Sequence, residues 1–211
     1  MIKSFRYDSD KDQFSANTYV VGEENGDFVV IDIGSTSDCL LKYVKEHFKS
    51  CLGILITHGH WDHIRGIDKF LDNYPNTTLF IDELDSKCLI DSRLNCSELM
   101  GENGIINIEP YRLEDGDEIN FKNEFLFKVI ETPFHTLGSV CYLYEKENAL
   151  FTGDTLFKGD IGRSDFPHSA KRMQQISLEK IKKLDPNLDV YPGHGEKTKL
   201  KNEFENNKYL R

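Results

Sequence analysis

The chain reads as an α/β (α+β) protein: two β-sheet units packed face to face with helices outside, in one domain over residues 1–211. Three observations predict this. Short apolar runs bounded by turn residues recur in both halves of the chain. Helical periodicities fall between them, so that the order strands, helix, strands, helix, strand, helix makes the halves alike. No low-complexity linker separates them.

The elements follow in order. "SANTYVVG" (15–22) and "DFVVIDIG" (27–34) flank "EENG", a hairpin turn signal. Residues 36–50 place Leu40, Leu41, Val44 and Phe48 at helical spacing, with Ser37 or Asp38 as cap. The strand "LGILIT" (52–57) runs into a histidine-rich loop. A short helix over 66–75 stops at Pro75, and "TTLFID" (77–82) is a strand. Residues 83–104 read as helix then loop. Strands are predicted over 111–121, 125–133, 139–145 and 149–154, with a hairpin turn at 145–148. Residues 168–185 form an amphipathic helix through Met173, Ile176, Ile181 and Leu184. "DVYPGHG" (189–195) is a strand ending in a glycine-bracketed histidine, and a last helix starts near Thr198.

Composition excludes several partners. Hydrophobic residues are 38% and aromatics 11%, enough for a core, while the net charge of −10 argues against a nucleic-acid backbone as partner. No run approaches the length of a membrane span, and residues 1–12 lack the apolar core of a signal peptide. The five cysteines are odd in number and scattered without a CxxC, as in a reducing cytoplasm. No cysteine adjoins a histidine in sequence, Cys141 included, which disfavours a catalytic thiol.

The chemistry concentrates in "THGHWDH" (57–63), which holds three of the seven histidines. Alternate residues of an extended chain point the same way, so His58 and His60 can clasp one cation, with Gly59 adding no bulk between them. Asp62 and His63 diverge, require a turn, and suit a second cation. His135, Asp154 and His194 each stand at the end of an apolar segment, where sites are built. Five imidazoles and two carboxylates suit two borderline divalent cations such as zinc. Two such cations outweigh the carboxylates and a hydroxide, leaving a locally positive site that welcomes an anionic substrate. His47 reads as a solvated helix residue, and His168 as a structural helix-start residue or part of the site rim.

On "THGHWDH", "TPFHT" (132–136), "GDTLF" (153–157) and "YPGHG" (191–195), in this order and spacing, the chain resembles the metallo-β-lactamase superfamily. "IDIGS" (31–35) matches that family's early strand end. "GDTLFKGDIGRSDFP" (153–167), "RLNCSEL" (93–99) and "ENNKYLR" (205–211) are similar to the glyoxalase II-like hydrolases. The resemblance implies a four-layer αββα sandwich, with His58, His60 and His135 on one metal, Asp62, His63 and His194 on the other, and Asp154 bridging. It implies hydrolysis of a small anionic thioester such as S-lactoylglutathione by a metal-bridging hydroxide that Asp62 orients and deprotonates. Zinc is the expected metal; iron and manganese tolerate the same ligands.

Two departures matter. Phe134 replaces the glycine usual before the third histidine, so it either pays strain at a positive φ or forms an apolar wall for the substrate. The chain also ends without the helical domain that holds glutathione in the longer enzymes, which points to the short bacterial-type members. Arg163 is a candidate anchor for a substrate carboxylate, or else an ion pair with Asp165; Lys158 and Lys197 are weaker candidates of the same kind. Trp61 lines the pocket or fills the core.

The nearest rival is a persulfide dioxygenase, whose GRxDF element "GRSDF" (162–166) matches; there a single iron would sit on His58, His135 and Asp154. A β-lactamase is disfavoured, because His63 is unusual for that family's second site. Acidity and the lack of a large insertion disfavour a nuclease, and the complete ligand set disfavours a non-catalytic scaffold.

Overall fold

Alternation along the strands decides the layers. In the computed structural model, which describes residues 1–5 and 15–211, the strands form two six-stranded sheets. The first holds β1 (Ile2–Phe5), β2 (Thr18–Gly22), β3 (Phe28–Ile31), β4 (Cys51–Leu55), β5 (Thr78–Asp82) and β6 (Tyr111–Leu113) in chain order. The second holds β7 (Glu118–Phe121), β8 (Phe125–Glu131), β9 (Val140–Tyr144), β10 (Ala149–Gly153), β11 (Asp189–Pro192) and β12 (Thr198–Lys199), also in chain order. Residues 6–14, which include most of the charged stretch up to Asp12, lie outside the described residues.

In β2 and β3, Tyr19, Val21, Val29 and Ile31 face the second sheet and pack with Phe127, Tyr142 and Phe151. Their neighbours Val20, Phe28 and Val30 point the other way, onto Leu41 and Val44 of helix α1 (Asp38–His47). The second sheet repeats the scheme. Cys141, Leu150 and Val190 face outward onto Leu178 and Ile181 of α4 (Gln174–Lys182) and Leu200 of α5 (Leu200–Asn206). The result is the four-layer αββα sandwich, with each fully buried aliphatic or aromatic side chain contributing roughly 1.5–3 kcal/mol. Two short helices, α2 (Trp61–Ile64) and α3 (Ile67–Leu71), lie between β4 and β5. Ser37 caps α1 by accepting a hydrogen bond from the Cys39 amide at 3.2 Å.

Each sheet contains a parallel crossover through a helix: β3–α1–β4 in the first and β10–α4–β11 in the second. Strands β4, β8, β10 and β11 therefore end on one rim of the sandwich, where the candidate ligands were expected.

Several elements differ from the sequence reading. The alternating stretch 111–121 is two strands, one in each sheet, with Gly116 at φ +87° in the turn between them. Alternation does not reveal which sheet a residue joins, so the switch was invisible. The N-terminal strand β1, unread in the sequence, pairs antiparallel with β2. Residues 83–104 contain two 3₁₀ segments, Glu83–Ile90 and Ser97–Met100. Ile176 is 56% exposed, because a 3₁₀ turn at Lys171–Met173 shifts the buried stripe of α4 to Ser177, Leu178 and Ile181. Helix α3 ends at Leu71, before Pro75.

One buried carboxyl makes stability pH-dependent. Asp82 ends β5, is 1% exposed, and accepts from the Leu84 amide at 2.8 Å. Burial above all, with Glu131 and Asp85 nearby, pushes its pKa up to about 8. A carboxyl that keeps its proton longer when folded adds stability below its unfolded pKa and loses it as pH rises through the folded value. Stability should therefore decline between about pH 4 and pH 8. Asp82→Asn, which keeps the acceptor and cannot ionise, should flatten that decline in denaturant titrations.

Candidate metal centre

The seven expected ligands converge on that rim. The chain leaves β4 extended, so His58 and His60 project together; His60 stands just before α2, and the first turn of that helix presents Asp62 and His63. His135 follows β8, Asp154 follows β10, and His194 follows β11. Gly193 is required by close approach: a Cβ there would lie 2.3 Å from Asp154 Oδ1 and 2.7 Å from His63 Cε1.

Three imidazole nitrogens meet first. His60 Nδ1 lies 3.1 Å from His58 Nε2 and 2.8 Å from His135 Nε2. Acceptors behind two of the three rings, His135 and His58, fix their tautomers. The Arg163 carbonyl can only accept, so His135 donates from Nδ1 at 2.7 Å and turns a lone pair inward from Nε2. Thr57 Oγ1 donates to Asp32 at 2.7 Å and so accepts from His58 Nδ1 at 3.2 Å, with the same effect. Facing lone pairs repel unless a cation stands among them. Burial, together with the neighbouring imidazoles, holds His58 well below its ordinary pKa and His60 at about 3. Neutral imidazoles are the ligand form.

The second group is Asp62, His63 and His194. Asp62 Oδ2 lies 3.1 Å from His194 Nε2 and 3.8 Å from His63 Nε2. Asp154 sits between the groups, 3.4 Å from His135 Nε2, 3.3 Å from His63 Nε2 and 3.7 Å from His194 Nε2. His63 Nε2 and Asp154 Oδ1 are buried without a hydrogen-bond partner, an expensive arrangement that a bound cation relieves. Burial opposes charge on His63, yet Asp32, Asp62 and Asp154 raise its pKa well above the usual value. The site thus holds excess negative charge where a cation fits, and imidazole and carboxylate donors suit zinc, iron and manganese alike.

Two buried carboxylates hold these loops. Asp32 accepts from the Thr57 amide at 2.8 Å, Thr57 Oγ1 at 2.7 Å and His63 Nδ1 at 2.8 Å. Asp85 accepts from the Gly59 amide at 2.8 Å, Thr136 Oγ1 at 2.7 Å, the Gly138 amide at 2.8 Å and His168 Nε2 at 3.0 Å. Asp85 therefore ties the His58–His60 loop to the His135 loop. Nothing in the sequence singled it out, because its partners are distant in the chain. His168, read as structural or rim, belongs to this scaffold.

A pocket of about 780 Å³ opens over the ligands. Its walls include Arg163, Cys96, Leu99, Met100, Phe157, Ile161 and Phe166. Arg163 forms the ion pair with Asp165, at 2.6 Å on the surface, and it also lines the pocket. Phe134 does not line it. It is fully buried against α4, at an ordinary negative φ, so neither the wall nor the strain expected of it is present. Trp61 is also absent from the pocket wall; it packs from α2 into the core and donates from Nε1 to Glu102 at 2.6 Å. Lys158 pairs with Glu196, and Lys197 lies over Tyr191; neither lines the pocket. Phe166 was missed, though "GRSDF" contains it. Its ring stands 5.1 Å from His60 and 5.9 Å from His135.

Clustered imidazoles and carboxylates on the rim of an αββα sandwich define a metal-dependent hydrolase. The chain belongs to the metallo-beta-lactamase superfamily, whose family model matches residues 12–194. It is 27% identical to hydroxyacylglutathione hydrolase GloC of Haemophilus influenzae, over 93% of each chain. Among solved structures it is similar to BLEG-1 B3 metallo-beta-lactamase, with TM-score 0.91 and 30% identity over 100% of this chain and 99% of that one. It is also similar to TTHA1623 in a di-iron-bound form, with TM-score 0.81 and 28% identity over 94% and 96%.

Asp32→Asn keeps a side chain that tolerates the positive φ of 51° at this position but loses the anionic acceptor behind His63. Metal affinity should fall about 10- to 100-fold in chelator competition, with the circular dichroism spectrum preserved. Phe134→Ala should instead lower unfolding free energy by about 3–5 kcal/mol in denaturant titrations, as for a core aromatic.

Proposed function

We propose that this protein is a binuclear metal-dependent hydrolase of small anionic thioesters, with S-lactoylglutathione the first substrate to assay. The observation that carries this reading is the position of Asp154, whose carboxylate stands between two complete ligand groups. His58, His60 and His135 would hold one metal, Asp62, His63 and His194 the other, with Asp154 shared and zinc the expected ion. When bound, such ions supply Lewis acidity and bring the pKa of water toward about 7.

The chain's own residues supply the rest. Asp62 is 21% exposed at the pocket floor and hydrogen-bonded to His194, placed to accept a proton from an attacking water. Arg163, at the mouth, meets an anionic carrier. A protein nucleophile is not needed. The pocket thiol, Cys96, has its pKa pushed up to about 11 by burial and by Asp62, so it stays protonated at neutral pH. All five cysteines are unpaired, which supports a reducing cytoplasm as its setting, and among the described residues no helix is long and apolar enough to cross a membrane.

Two further reactions belong in the same assay. The likeness to BLEG-1 B3 metallo-beta-lactamase brings β-lactam cleavage back as a reading, despite His63. The "GRSDF" element, whose Arg163 and Phe166 line the pocket, keeps persulfide oxidation as the other reading.

Purified protein should hydrolyse S-lactoylglutathione with about two metals per chain, and Asp154→Ala should lower kcat at least about 100-fold with loss of metal. A single iron per chain with oxygen uptake on glutathione persulfide would move the assignment to the dioxygenase. Turnover of a β-lactam without thioester turnover would move it to a lactamase.

A further inference from the structure

The pocket has two flanks of different chemistry. On the side of His60 and His135 stands Phe166, with the Arg163 guanidinium 4.6 Å above its ring. The Arg163 carbonyl also accepts from His135 Nδ1, so this cation is anchored to the ligand cluster through its own backbone. Its partner Asp165 is 63% exposed, and a surface pair of this kind exchanges for a substrate anion at small cost. On the side of His194 stands Phe157, its ring 6.1 Å away and nearly perpendicular. Ile161, Met100 and Leu99 complete the apolar lining, and Leu99 is 68% exposed.

The remaining polar side chains of the wall already have partners. Glu102 accepts from Trp61 Nε1, Arg65 donates to the Gly34 carbonyl and to Ser15 Oγ, and Asp160 accepts from the Ile161 amide. Beside Phe157, Asp160 accepts from the Ile161 amide and has carboxylate oxygen left for at most a single further polar contact, so the seat is mainly apolar. A hydroxyl placed there would at best exchange water for the Asp160 carboxylate, whereas each methylene would be buried against rings and branched side chains. A pocket of about 780 Å³ also has room for more than a three-carbon acyl group.

Building on the thioester reading, we infer that the preferred substrate is an amphiphilic thioester. Its anionic carrier lies on the Arg163–Phe166 flank, and its acyl group is an apolar chain of about four to eight carbons seated against Phe157, Ile161 and Leu99. The chain length, not a 2-hydroxyl, sets specificity.

The test is kcat/KM of the metal-loaded enzyme for lactoyl, acetyl, butyryl, hexanoyl and octanoyl thioesters of glutathione. The expected result is a rise of about threefold per methylene from acetyl to hexanoyl, with lactoyl below butyryl. Phe157→Ser and Leu99→Ser should each cut the hexanoyl-to-acetyl ratio by about fivefold or more; Leu99 stands on an exposed turn, so that variant keeps the fold. Arg163→Gln should raise KM for all glutathione thioesters by a similar factor and leave the ratio in place. A flat series, a lactoyl preference, or a ratio insensitive to both serine variants would overturn the inference while leaving the thioesterase intact. Failure to cleave any thioester would overturn the thioesterase reading and this inference with it.

Discussion

Everything at the rim depends on two carboxylates buried away from water, each accepting three or more hydrogen bonds. An ionised carboxylate in a protein interior is costly unless several donors face it. Asp32 and Asp85 meet that condition by gathering donors from loops that have no other reason to meet. Asp32 joins the end of β3 to the end of β4 and to the ring of His63. Asp85 does the same for the loops that carry His58, His60 and His135. Removing a donor would leave charge unpaired, so the loops are held in register by electrostatic necessity rather than by packing alone.

The ligands were legible because their chemistry is written locally. "THGHWDH" combines an extended spacing with a turn, and the other three ligands sit beside glycine or proline at strand ends. Strands β2, β3, β9 and β10 were legible as short apolar runs between turn residues, although runs apolar on both faces do not say which side chain joins which layer. What stayed hidden depends on distant partners. Asp85 is one acidic residue among many until Gly59, Thr136, Gly138 and His168 surround it. Residues 111–121 alternate correctly and still divide between sheets. Phe134 and Trp61 adjoin ligands in sequence, yet their side chains turn into the core. Adjacency to a ligand fixes the backbone's place and leaves the direction of the side chain to the fold.

The pocket wall shows the same division of labour. Its floor comes from strand ends, which are rigid and shared by the sandwich. Its sides come from the segment 93–102 and from residues 157–166, loops that tolerate change without disturbing the layers. Reaction chemistry and substrate choice are thus carried by different parts of the chain.

The mirrored order of the sheets has a consequence in time. Each sheet is built from a contiguous half of the chain, residues 2–113 and then 118–199. The first half supplies His58, His60, Asp62 and His63; the second supplies His135, Asp154 and His194. A nascent chain emerging from the ribosome therefore carries half a site through most of its synthesis. The seven ligands assemble only when the second sheet docks on the first, so the centre is a marker of finished tertiary structure rather than a nucleus for it.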